Sequence, residues 1–151
     1  MYGQDRDAYR RVFVQAWRKA QAGEPLSDME AMLADLIALH PEYHAILTAE
    51  DAAVGAEFPP ELGESNPFMH LSLHLALREQ RKTDRPPGFR YLYDAVCTYM
   101  DDVHDAEHAM SECLAEIMWQ AQRDGAMPDE KAYFACLRKL AHIQPGFGDD
   151  L

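Results

Sequence analysis

Residues 66–81, NPFMHLSLHLALREQR, decide the fold. Asn66 is a strong helix cap, and Pro67 suits the first helical position. At 100° per residue, Met69, Leu73, Ala76 and Leu77 fall on one flank, and Phe68, Leu71 and Leu75 on the other. A helix apolar on nearly all sides is a buried helix. Between the flanks stand His70 and His74, four apart, stacked one turn above the other on one face. Two imidazoles on a buried helix need partners, because unpaired buried polar groups are costly.

The same spacing recurs. His40 and His44 form HPEYH, and His104 and His108 form HDAEH, so six of the seven histidines fall into three i,i+4 pairs. Random placement would give roughly a third of one such pair in a chain this long, counting i,i+4 as helical neighbours. Glu112 follows His108 at the same spacing and projects one turn beyond it. Asp51 lies two turns past His44, and His142 stands alone near the C-terminus.

The rest of the chain is helical in period, with no convincing strand. Helix 1 is expected over about Asp5–Ala22, with Tyr9, Phe13 and Trp17 as a core-facing stripe and Gly23 as its C-cap. Arg10, Arg11, Arg18 and Lys19 are expected on its solvated face. Ser27 and Glu30 form a capping box for helix 2. Pro41 ends helix 2 and opens helix 3, from near His40 to about Ala53. FPPELGESN is a loop, helix 4 reaches about Arg81, and DRPPG breaks the chain. Helices 5, 6 and 7 are expected over about Phe89–Met100, Asp101 or Asp102 to Arg123, and Pro128 to His142, with a loose tail at IQPGFGDDL. The expected fold is therefore all-α, a single-domain bundle of about seven helices with an interior histidine-rich site.

Composition narrows the function classes. The chain has 151 residues, 48% hydrophobic and 26% charged, which suits one soluble domain able to bury a core. Its net charge of −12 repels nucleic acid and anionic membrane, so neither is an expected partner. No stretch approaches the length of a membrane span, and the polar N-terminus lacks the apolar core of a signal peptide, so a cytoplasmic location is expected. Cys97, Cys113 and Cys136 form no C-x-x-C and are expected to be reduced thiols. There is no P-loop, G-x-S-x-G or G-x-G-x-x-G.

Neutral imidazole is the commonest protein ligand for zinc, iron and copper. Four ligands close a structural zinc site. Six imidazoles and a carboxylate exceed that and suit two ions sharing a bridge, as helical bundles build them. The expected ligands are His40, His44, His70, His74, His104, His108 and Glu112, and the expected ions are iron or zinc. An open coordination position would make the centre a metal-dependent redox enzyme. The competing reading is a non-enzymatic metal- or pH-sensing or interaction protein, with structural histidines.

AWRKAQAGEPLSDME at 16–30, HPEYHAIL at 40–47, NPFMHLSLHLALREQ at 66–80 and HDAEHAMSECLAEIMWQAQR at 104–123 resemble a bacterial family catalogued as domain of unknown function 1841. The resemblance spans nearly the whole chain and implies a small bacterial cytoplasmic protein, but no activity. In ligand chemistry the histidine supply is similar to that of hemerythrin-like di-iron proteins. The order of ligands departs from that pattern, so oxygen binding is not carried over. The paired E-x-x-H motifs of ferritin-like sites are also missing.

Overall fold

The computed structural model describes residues 2–48 and 66–143. Among them lie seven α-helices, one 3-10 turn and no strand. The helices are α1 (Tyr2–Gln21), α2 (Asp28–Ala38), α3 (His44–Thr48), α4 (Pro67–Thr83), α5 (Phe89–Met100), α6 (Val103–Asp124) and α7 (Glu130–Ala141). No helix among the described residues is long and apolar enough to cross a membrane.

Local chemistry sets most of the boundaries. The Ser27 side chain accepts from the Glu30 backbone N–H, while the Glu30 carboxylate accepts from that of Ser27, which closes the box that starts α2. Asn66 Oδ1 accepts from the backbone N–H of Phe68 at 3.0 Å and of Met69 at 3.2 Å, capping α4. Asp102 and Asp129 cap α6 and α7 in the same way. Gly125 ends α6 with a φ of 61°, a left-handed conformation that favours glycine.

The segment after α2 departs from the expected single helix. Residues Pro41–Tyr43 form a 3-10 turn, and α3 follows it. His40 stands before the turn in a non-helical conformation and makes no side-chain cap. The expected end of this helix, Asp51, the loop over 58–65 and the tail over 144–151 lie outside the described residues.

The chain divides into two compact units, Met1–Leu75 and Ala76–Leu151. In the first, α1 packs on α2 and α3. Phe13, Val14 and Ala16 from α1 meet Leu33, Leu36 and Ile37 from α2, Leu47 from α3, and Phe68 and Leu71 from α4 in one apolar cluster. Tyr9 is a correction to the expected stripe. It is half exposed, and its hydroxyl bonds Ser72. Arg10 is a second correction, since it is 5% exposed with its guanidinium 4.9 Å from the centre of the Phe68 ring. A flat, weakly hydrated guanidinium can lie against an aromatic face, where an ammonium could not as readily.

In the second unit, α5, α6 and α7 pack on one another. Phe89 stacks on Tyr133 at 5.9 Å, and Val96, Met110 and Leu137 are fully enclosed. Cys113 of α6 and Cys136 of α7 are joined by a disulfide, with Cα atoms 5.9 Å apart. This overturns the expectation of three reduced thiols. Spacing along the chain gave no hint, because the two sulfurs meet only when the helices pack side by side. Cys97 remains a free thiol.

Helix α4 is less enclosed than its composition suggests. Phe68, Leu71, His74 and Leu77 are buried, but Met69 is 60% exposed and Leu73, Leu75 and Ala76 are half-buried. The buried residues follow a three-residue step, which is one stripe rather than an apolar surface all round.

Candidate metal centre

Three of the six paired histidines converge in the first unit. His70 and His74 rise from α4 at i,i+4 spacing, and His40 approaches from the turn after α2. His70 Nε2 lies 3.1 Å from His40 Nε2 and 3.2 Å from His74 Nε2. The ring centres form a nearly equilateral triangle, with separations of 4.8, 5.0 and 4.9 Å. His40 and His74 are fully buried, and His70 is partly so.

The protonation state of His40 follows from its neighbours. Its Nδ1 lies 2.7 Å from the Leu36 carbonyl oxygen, which can only accept. Nδ1 therefore carries the proton, and in the neutral ring Nε2 presents its lone pair to the triangle. Metal-ligating histidines are oriented by this kind of bond from the other ring nitrogen. Tyr43 stacks on His40 at 5.5 Å and closes that side. Burial pushes the Tyr43 phenol above its ordinary range, so it stays neutral.

The three ring nitrogens constrain one another's protonation. His70 Nε2 faces two other ring nitrogens, and one N–H cannot point straight at both. If His70 Nε2 donates to His40, its in-plane lone pair is gone, and it has nothing to offer a donor on His74. At a metal–nitrogen distance of 2.0–2.1 Å, nitrogens at right angles are about 2.9 Å apart and tetrahedral ones about 3.3 Å apart. The observed 3.1 and 3.2 Å lie between these values.

His44 does not join the triangle. Its Nε2–H donates to the Ile37 carbonyl at 2.8 Å, and its ring stacks on Trp17 at 4.5 Å. The carbonyls of Leu36 and Ile37 belong to the last turn of α2, where they also accept from the backbone N–H groups of Leu39 and His40 at 3.2 and 2.9 Å. The two histidines of HPEYH thus cap the C-terminal end of α2. For His40 that is the end of one helix rather than the entry of the next, which its place beside Pro41 suggests.

In the second unit, His104 and His108 sit one turn apart on α6, with Nε2 atoms 3.0 Å apart and ring centres 4.4 Å apart. Both are half-buried. Glu112 is exposed, so the carboxylate expected to bridge two ions faces solvent. His142 ends α7 in a left-handed conformation and stacks on Tyr99 at 4.0 Å.

Among the described residues the buried carboxylate is Glu107, which is fully enclosed. It accepts from Arg78 Nε at 3.2 Å and from the Tyr93 hydroxyl. Burial, and then the carboxylate beside it, push the Tyr93 phenol far above its ordinary range. A signal for Glu107 was present in the sequence. It stands three before Met110 and seven before Leu114, in helical register with these apolar residues. Its partners come from α4 and α5, and no periodicity along α6 could name them.

No curated protein and no solved structure matches the sequence. Residues 5–139 match the family described as Domain of unknown function (DUF1841). That match covers most of the chain and includes all three histidine pairs, and the chain belongs to this family.

Proposed function

We propose that this protein binds a first-row transition metal, iron or zinc, through His40, His70 and His74, and that His104 and His108 form a second chelating pair. The observation that carries the reading is the convergence of three Nε2 atoms at ligand-like separations, with the lone pair of His40 set by the Leu36 carbonyl. An all-imidazole donor set favours iron or zinc over magnesium or calcium, which want oxygen. Three nitrogens on one side of an ion leave further positions for water or a small exogenous ligand. Such a centre can activate water or dioxygen, which a closed four-ligand site cannot.

Metal content of protein purified without an affinity tag, as isolated and after reconstitution, tests the reading. Between one and two equivalents of iron or zinc are expected. Less than about 0.2 equivalents of every transition metal after reconstitution would sink it, since a buried triad of neutral imidazoles should retain its ion through dialysis. An open position is tested by azide added to the iron- or cobalt-loaded protein. A saturable change in the visible spectrum is expected, and an unchanged spectrum would mark the site as closed.

A further inference from the structure

The chain carries a net charge of −12, yet five of its 14 cations fall between Arg78 and Arg90, with only Glu79 and Asp84 against them. This stretch borders a solvent-open cavity of about 410 Å³ in the second unit. Arg78, Arg81, Lys82 and Asp94 line it, together with the less polar Tyr93, Cys97 and Val103.

The cations are not fully used by the fold. Arg78 Nε and Nη2 bond the two oxygens of Glu107 at 3.2 and 3.5 Å. Arg81 uses the same edge on Asp94, with Nε at 2.8 Å and Nη2 at 3.3 Å. A guanidinium has five N–H donors, so each arginine keeps its Nη1 amino group. The Lys82 ammonium makes no ion pair or hydrogen bond among the described residues. The last carbonyls of α4 do not call on these groups either, because Arg90 donates to the carbonyls of Arg81 and Lys82 at 2.9 and 2.8 Å. The Arg81–Asp94 pair is about half exposed on both sides. Such pairs are weak and exchange readily for another anion.

We propose that this cavity binds a small organic anion, a carboxylate or phosphate on a short apolar body, through the Nη1 groups of Arg78 and Arg81 and the ammonium of Lys82. The buried Glu107 fixes the Arg78 guanidinium in place, so one donor is already oriented before the ligand arrives. The Tyr93 ring and Val103 contact the apolar body. The site needs no metal.

Amide-resolved NMR titration of the full chain at low salt tests this, with inorganic phosphate and butyrate as the two probes. Run before and after chelation, it separates this inference from the metal reading, since the same affinity is expected in both states. Saturable shifts confined to residues 78–103 are expected, with a Kd on the order of 1 mM for ligands this small. Tighter binding of phosphate identifies a phosphorylated ligand, and tighter binding of butyrate a carboxylic acid. The double variant Arg81→Gln/Lys82→Gln should weaken binding of the preferred probe by about tenfold, the effect of losing one charge-assisted bond. Both residues are exposed, so the fold should be retained, and Lys82→Gln alone serves if it is not. The proposal is overturned if neither probe saturates, if shifts map elsewhere, or if the variant binds as the unaltered chain does.

Discussion

Two imidazoles four residues apart do different work here, and substitution should separate them. His40 presents Nε2 to His70, while His44 gives its Nε2–H to the Ile37 carbonyl. His74→Ala should lower metal affinity by at least about tenfold, as loss of one ligand does. His44→Ala should leave affinity nearly unchanged and lower stability by about 1 kcal/mol, the net worth of a hydrogen bond. Competition against a chelator of known affinity, run beside urea melts, checks both, and equal metal affinity in the two variants would refute the assignment. Cys97 offers a second test. Burial, ahead of the nearby carboxylates of Glu107 and Asp94, pushes its thiol up to about 11. Its alkylation rate in the native protein should climb through pH 9–11 rather than level off near pH 9. The sign for stability follows from the same shift. The folded chain holds this proton more tightly than the unfolded one, so the contribution is complete below about pH 8.5 and fades as pH rises toward the folded value. Under denaturing, non-reducing conditions one thiol per chain should react with a disulfide reagent, and all three cysteines after reduction.

Among the helices, caps decide where each begins. Ser27 and Glu30 satisfy each other's backbone donors, and Lys19 of α1 bonds the Glu30 carboxylate at 2.8 Å. The Lys19 hydrogen bond, and then that from the Ser27 N–H, hold the Glu30 carboxyl below its ordinary value of 4.5. A depressed carboxyl stabilises the fold above that value and loses the contribution as pH falls through and below it. Ser27→Ala should lower stability by about 1 kcal/mol at pH 7. Glu30→Gln should flatten the acid limb of the stability–pH curve, which urea melts between pH 3 and pH 7 would reveal. An unchanged limb would mean that Lys19 and Ser27 do not act on this group. Capping was legible in the sequence because it is local. Asn66, Asp102 and Asp129 each lie within three residues of the backbone group they satisfy.

For the molecule as a whole, the metal reading predicts that ligand binding and folding are coupled. The triad brings three imidazoles together beside Phe68 and Leu71 in an apolar core. Metal binds neutral imidazoles, so its binding free energy adds to that of folding. Complete chelation at pH 7.5 should lower the melting temperature by several degrees or more, at about 2–4 °C per kcal/mol for a chain of this length. Superimposable melts after verified metal removal would mean that the histidines satisfy one another without an ion. The sequence by itself determined the helical class, most helix boundaries and the histidine spacing, because caps and i,i+4 neighbours act over four residues. It also carried the family, since the stretches that hold the pairs are contiguous. Only tertiary structure decided which partners those residues find. His40 joins His70 and His74 while His44 turns back to α2, Glu107 rather than Glu112 is buried, and Cys113 meets Cys136. Each of these depends on which face of one element packs against another, and that is set by contacts between residues up to several tens of positions apart, which no local period encodes.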